Sequence, residues 1–251
     1  MSGKYRGKYK LGTSPFPGVF EETSQESVAH FAPVMLFDDF LGSDVAIPAA
    51  ASPESGVRWV KKIVGAGPPT LVGGADALNG TQVCTLEATS EKQEASAYFN
   101  DELQLSALQN LVIEYKFTPT VLPTGNGELF LGVCSAWADG PRDGATYSAF
   151  FVLDGNGLIA CESDDNATDG TASSGVTLIT TSVCYARLDF TDAATAGVRY
   201  YVNGALVRTS AAWAASAANS KLQPMFGAYK VSGTGVGTLT VDYVKLWQER
   251  S

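Results

Sequence analysis

Histidine is almost missing from this 251-residue chain: His30 is the only one. That scarcity excludes a multi-histidine zinc centre, and any Ser-His-Asp triad would have to use this one imidazole. His30 lies in a stretch punctuated by proline and glycine, a poor place to fix a ring against a nucleophile. Apolar runs are short, and none reaches the ~18 residues that a membrane-spanning helix requires. Basic residues are outnumbered, 17 against 26 acidic, giving a formal charge of −9. Without a basic stripe there is no surface for phosphate backbones, so nucleic acid is not expected as a partner, and neither is a membrane.

Cysteine is also sparse. Cys84, Cys134, Cys161 and Cys184 sit in apolar, strand-like runs, at spacings that fit neither CxxC metal clips nor a small secreted disulfide framework. They are expected to be reduced core residues. The opening MSGKYRGKYKLG carries basic residues with no apolar segment behind them, so it does not read as a secretory signal.

What is abundant is glycine (26 residues), together with Val, Thr, Ala and Ser in short alternating runs. This mixture favours many short strands joined by tight turns. GVRYYVNGALVRT places Asn203 and Gly204 between two alternating runs, a strong hairpin signature because a type I′ turn needs positive φ twice. YSAFFVLDGNGLIACES repeats the device around Asp154 to Gly157. NLVIEYKFTP, GELFLGVCSAW, SVCYARLDFT and GTLTVDYVKLWQ add further period-2 strands. Trp59 and Trp247 fall inside strand-like runs and are expected in the core. The alanine-rich SAAWAASAANSKL is the one helical candidate of note, and Trp213 within it cannot be placed. Residues 34–251 read as one β domain, expected to be all-β, a two-sheet antiparallel sandwich or jelly roll.

Residues 1–33 differ. Lys4, Arg6, Lys8 and Lys10 alternate with small and aromatic residues, including Tyr5 and Tyr9, and a tract with three prolines follows. This predicts an extended N-terminal arm, which orders on a partner because it holds too little apolar surface to fold alone. Without the arm the body carries 13 basic and 23 acidic side chains. A cationic tip on an anionic body suits docking against an acidic surface.

The stretch LIACESDDNATDG gathers Glu162, Asp164, Asp165 and Asp169. A calcium loop of the D-x-[DN]-x-[DN]-G kind needs alternate oxygens converging at a glycine. Asp164 and Asn166 start such a pattern, but Thr168 and Asp169 stand where an oxygen ligand and the glycine belong. Asp164, Asn166 and Asp169 are kept as a weak calcium candidate, and the preferred reading is the solvated end of a strand. No other cofactor is expected. Gly65–Gly80 lacks the G-K-[ST] ending and following helix of a phosphate loop, and reads as a long loop over the sandwich edge.

Taken in order, LFDDFLG, RLDFTDAATAGVRYYVNGALV and LQPMFGAYKVSGTGVGTLTVDYVKLWQ resemble the concanavalin A-like lectin/glucanase superfamily, which includes laminin G-like domains. The resemblance covers residues 34–251 and implies a jelly-roll sandwich. LEATSEKQEASAYFNDELQLSALQNLVIEYKF further resembles jelly-roll proteins of tailed-phage virions. That likeness implies a non-catalytic structural protein, a capsid decoration protein held by its arm on a major capsid or other virion protein. Self-association as a homo-oligomer is also compatible with it, and the place would be the virion, after synthesis in the host cytoplasm. Laminarinase-type members of the superfamily carry E-x-D-x-x-E on one strand; Glu162 and Asp164 match its first two positions and Ala167 breaks the third. With one carboxylate missing, a retaining glycosidase is not expected and no catalytic residue is assigned. The alternative is a carbohydrate-binding module for a host glycan, with Trp137, where a strand runs into the polar loop ADGPRDG, as the candidate sugar-stacking residue.

Overall fold

The computed structural model describes residues 33–40, 47, 59–74, 80–103, 105–211, 213 and 221–249. The expected arm lies outside them apart from Pro33, as does most of the alanine-rich run. The strands, in chain order, are β1 (Val34–Asp38), β2 (Val60–Val64), β3 (Thr70–Gly73), β4 (Gln82–Leu86), β5 (Gln93–Tyr98) and β6 (Leu105–Ser106). Then come β7 (Val112–Val121), β8 (Gly127–Cys134), β9 (Ser148–Leu153), β10 (Leu158–Asp164) and β11 (Asp169–Thr177). The chain closes with β12 (Cys184–Asp189), β13 (Arg199–Val202), β14 (Ala205–Thr209), β15 (Lys221–Lys230) and β16 (Gly237–Gln248).

They form two antiparallel sheets. The first runs β14-β13-β12-β7-β16-β4-β3, with β1 also on β16; the second runs β11-β10-β9-β8-β15-β5-β2, with β6 on β15. The all-β sandwich expected from the sequence is the architecture observed. The β13–β14 hairpin turns at Asn203 and Gly204, with φ of 50° and 81°. Asp154 closes the β9–β10 turn, its Oδ1 accepting the backbone N–H groups of Asn156 (2.9 Å) and Leu158 (3.1 Å).

Between the sheets pack Ile113, Tyr115 and Phe117 of β7, Leu129 and Leu131 of β8, Phe151 of β9 and Phe226 of β15, all buried. Two buried tyrosines cross this layer. Tyr115 on the first sheet donates its hydroxyl to the carbonyl of Gly132 on the second, and Tyr200 does the same to the carbonyl of Glu162. Each ring adds apolar area, and each hydroxyl satisfies a carbonyl where no water reaches. Strand crowding is extreme at Gly132: a Cβ there would lie 2.0 Å from the Ala149 carbonyl oxygen.

Two expectations are corrected and one residue left unplaced is located. The Gly65–Gly80 stretch is no single loop, because Thr70–Gly73 pairs with β4 as an edge strand. Trp247 is not a core residue: the register of β16 points it to the outer side of the first sheet, where it is half-buried. Trp213 is buried against Phe190, their rings 5.2 Å apart. All four cysteines are buried free thiols, and burial pushes each well above the usual thiol range.

The side chain of Lys230 at the end of β15 is fully buried. Its ammonium donates to the carbonyls of Glu87 (2.5 Å), Thr89 (2.8 Å) and Gly235 (3.0 Å), tying the β4–β5 turn to the β15–β16 turn. Burial lowers its pKa, opposed by the charges of Glu91 and Glu87. Lys230→Met removes the donor and leaves three carbonyls facing an apolar chain. The expected loss is about 3 kcal/mol, read by thermal melting as a fall of roughly 6–12 °C.

Candidate functional site

The outer side of the second sheet carries the titratable groups of interest, and strand register decides which ones meet. Cross-strand partners share a face, so Glu94, Tyr229 and Glu128 form one row across β5, β15 and β8. Tyr98, Met225, Gly132, Phe150 and Glu162 form another, across β5, β15, β8, β9 and β10. Phe130, Val152, Phe150 and Met225 make this outer face apolar, and they are buried. The segment between β8 and β9 covers them, laying Trp137 and Ala145 over the sheet.

Covering the face desolvates its carboxyls. Glu94 is fully buried; its Oε1 accepts from Trp137 Nε1 (2.9 Å) and Ser96 Oγ (2.5 Å), and its Oε2 has no hydrogen-bond partner. Burial pushes its pKa up to about 7, against the lowering effect of those two donors. Glu162 is 1% exposed, with Oε1 held by Ser148 Oγ at 3.3 Å and Oε2 unpartnered. Burial, with Asp169 adding repulsion, pushes Glu162 up to about 8. Glu128 is also raised by burial, with the Arg142 guanidinium 3.4 Å away opposing the shift.

Beside the cover lies an open groove of about 680 Å³, lined by Glu128, Asp139, Arg142, Asp143, Asp154 and Tyr229. The one-turn helix Pro141–Gly144 supplies Arg142 and Asp143, which pair at 3.1 Å. Asp139 pairs with Lys92. The Tyr229 hydroxyl lies under Gly140, where a Cβ would stand 3.3 Å from its oxygen. Four carboxyls and one guanidinium therefore line a groove with a tyrosine in its wall.

The sequence candidates fare differently. Lys4, Tyr5, Arg6, Lys8, Tyr9 and Lys10 lie outside the described residues. Trp137 is half-buried, donates to Glu94, and has Lys62 Nζ over its ring at 4.0 Å, so a cation occupies one face of the indole. Asp164 and Asp169 are cross-strand partners at the β10–β11 turn. Asp164 Oδ1 accepts the Asn166 N–H at 2.7 Å, and Asp165 Oδ1 those of Ala167 and Thr168. These oxygens shape the turn itself. Among the described residues no group of three or more His, Cys, Asp or Glu is placed to hold a metal ion.

Glu162 and Glu94 share a face, but β9, β8 and β15 lie between their strands, a separation of roughly 19 Å at the usual strand spacing. They cannot straddle one glycosidic bond, which needs carboxyls within ~10 Å. Glu94, Glu128 and Tyr229 belong to no motif. The legible sign was a carboxyl sharing a strand face with apolar residues, as Glu128 does with Phe130.

No family model matches the chain, and no curated protein matches it. Solved structures do. A protein of unknown function from Shewanella oneidensis MR-1 aligns over 93% of this chain and 96% of its own, at 12% identity and TM-score 0.58. Alginate lyase A1-II′, of polysaccharide lyase family 7, aligns over 78% and 96% at 14% identity and TM-score 0.55. The endo-β-1,3(4)-glucanase SCLam from family GH16 aligns over 88% and 92% at 13% identity and TM-score 0.57. At such identities the likeness is one of fold: a concanavalin A-like jelly-roll sandwich. It corrects the expectation of a non-catalytic capsid decoration protein. The neighbours with a stated activity are polysaccharide-cleaving enzymes, and nothing in these likenesses supports a virion role.

The raised carboxyls contribute a pH dependence to the stability of the fold. Native Glu94 and Glu162 hold protons that the unfolded chain releases near pH 4.3. The stability these two groups contribute is therefore full below that pH and is lost as pH rises from there through about 7 and 8. Glu162→Gln keeps an acceptor for Ser148 without the ionisation. In urea unfolding at pH 5 and pH 8.5, the variant should lose less stability between the two than the parent does.

Proposed function

We propose that the chain is a polysaccharide-cleaving enzyme of hydrolytic type acting on an uncharged glycan in the groove beside Tyr229. The observation that carries this reading is Glu128. It is a partly buried carboxyl with a raised pKa in the wall of a large groove, one strand from a tyrosine. A carboxyl whose pKa is raised by burial suits a general acid. Glu128 gives its proton to the glycosidic oxygen as the C–O bond breaks. Water adds to the anomeric carbon and loses its proton to a second carboxylate, Asp139, which lines the same groove and is held by Lys92.

Charge supports a neutral substrate. With Asp139, Asp143 and Asp154 against Arg142, the groove repels a polyuronate chain and leaves hydroxyl-rich neutral sugars as the ligands without an electrostatic cost. Incubation with laminarin, lichenan and alginate tests this directly. Reducing ends should appear from a neutral glucan, and no unsaturated uronate from alginate. Glu128→Gln should lower kcat by roughly 10²–10⁴-fold. Full activity in that variant, or no turnover of any neutral glycan, would refute the proposal.

A further inference from the structure

We propose that Arg142 is a positioning residue of the groove: its Nε–H is an unused donor held ready for the charge that Glu128 acquires on giving up its proton. The inference rests on the hydrolytic reading of the groove and names the group that makes Glu128 a competent acid there. Arg142 Nε is buried and has no hydrogen-bond partner, yet it stands 3.4 Å from Glu128 Oε2. A buried donor without an acceptor costs stability, and such donors are rare in folded chains. The cost is recovered when the acceptor appears during the reaction.

Local structure keeps the donor where it is. Gly140 turns the chain with a φ of 72°, the buried Pro141 opens the one-turn helix, and the Gly144 N–H closes it on the Gly140 carbonyl at 2.6 Å. A Cβ at Gly144 would stand 2.4 Å from the Asp139 carbonyl oxygen, so the turn lies flat against the chain before it. Asp143 holds one Nη of Arg142 at 3.1 Å. The guanidinium is thus tied at its backbone and at its tip, with its Nε edge beside Glu128. A donor fixed in advance needs no reorganisation at the moment of reaction.

Burial alone makes Glu128 a reluctant acid, because it disfavours the carboxylate. In the proton transfer the Glu128 O–H bond breaks, the proton passes to the glycosidic oxygen, and the electron pair stays on Glu128. A neutral carboxyl gains little from a guanidinium at this distance. A carboxylate in a poorly hydrated wall gains a charge-assisted hydrogen bond and an ion pair. Only interactions that strengthen between ground state and transition state raise the rate, and this one does. Among the described residues that line the groove Arg142 alone is cationic; Tyr229 is the neighbour of Glu128 on β15, and Asp139 and Asp154 share the groove. Asp143 works against the pair, since it competes for the guanidinium and repels the Glu128 carboxylate.

The test titrates Glu128 by NMR of its carboxyl carbon, the resonance being identified by its loss in Glu128→Gln, beside the pH dependence of kcat on laminarin. Arg142→Gln should move the Glu128 midpoint to higher pH, carry the alkaline limb of the rate profile up with it, and lower the plateau kcat by roughly 10²-fold. KM should stay near the parent value, because uniform binding is untouched. Asp143→Asn should move midpoint and limb the other way, to lower pH. A purely structural Arg142 would cost activity and melting temperature without moving the limb. A midpoint that Arg142→Gln leaves unmoved, or that both variants shift in one direction, would overturn the proposal; should Arg142→Gln fail to fold, the downward shift in Asp143→Asn decides alone. Turnover absent from the parent, with the two midpoints still displaced in opposite directions, would instead count against the hydrolytic reading.

Discussion

The second sheet is apolar on both faces, and the rest of the molecule is arranged around that fact. Leu131 and Phe151 point inward to the first sheet, while Phe130, Phe150 and Met225 point outward. An antiparallel sheet normally leaves one face to water, and a sheet that does not must be covered. The β8–β9 segment provides the cover with Trp137 and Ala145. That cover removes water from Glu94 and Glu162, and it raises both carboxyls towards neutral pH. Where the cover ends, Glu128 and Tyr229 meet solvent and the groove begins. Packing and candidate chemistry thus have one origin.

The two sheets are held at a fixed spacing by more than apolar contact. Tyr115 and Tyr200 reach across the core to carbonyls of Gly132 and Glu162, both in the row beneath the cover. A side-chain hydroxyl that satisfies a buried carbonyl is directional, so it fixes how one sheet lies over the other as well as how far away. Tyr200 anchors the backbone of Glu162 itself, which lowers the freedom of a carboxyl already deprived of water.

The outer face of the second sheet is covered and carries raised carboxyls beside a groove. The alginate lyase and glucanase likenesses show only that this sandwich accompanies polysaccharide chemistry in other chains. The assignment for this chain rests on its own residues, since a fold can host many functions.

Period-2 alternation and turn residues were enough to read the sandwich. Asn203-Gly204 and Asp154 close the hairpins expected of them, and the strand cysteines lie in the core as their apolar neighbours implied. These features depend on local sterics and on alternation, which a linear chain displays. The site was far less legible. Of the conspicuous carboxylates of LIACESDDNATDG, Asp164 and Asp165 shape a turn, while Glu94 and Glu128 stood in unremarkable strands. Trp247 looked like core because its strand is apolar, yet register turned it outward. What the sequence determined by itself was the set of strands and their turns. Which carboxyls share a row, which face is covered and which tryptophan meets water depended on strand order and on the β8–β9 segment folding back over β8, β9 and β15. Those are contacts between residues far apart in the chain, and no local pattern encodes them.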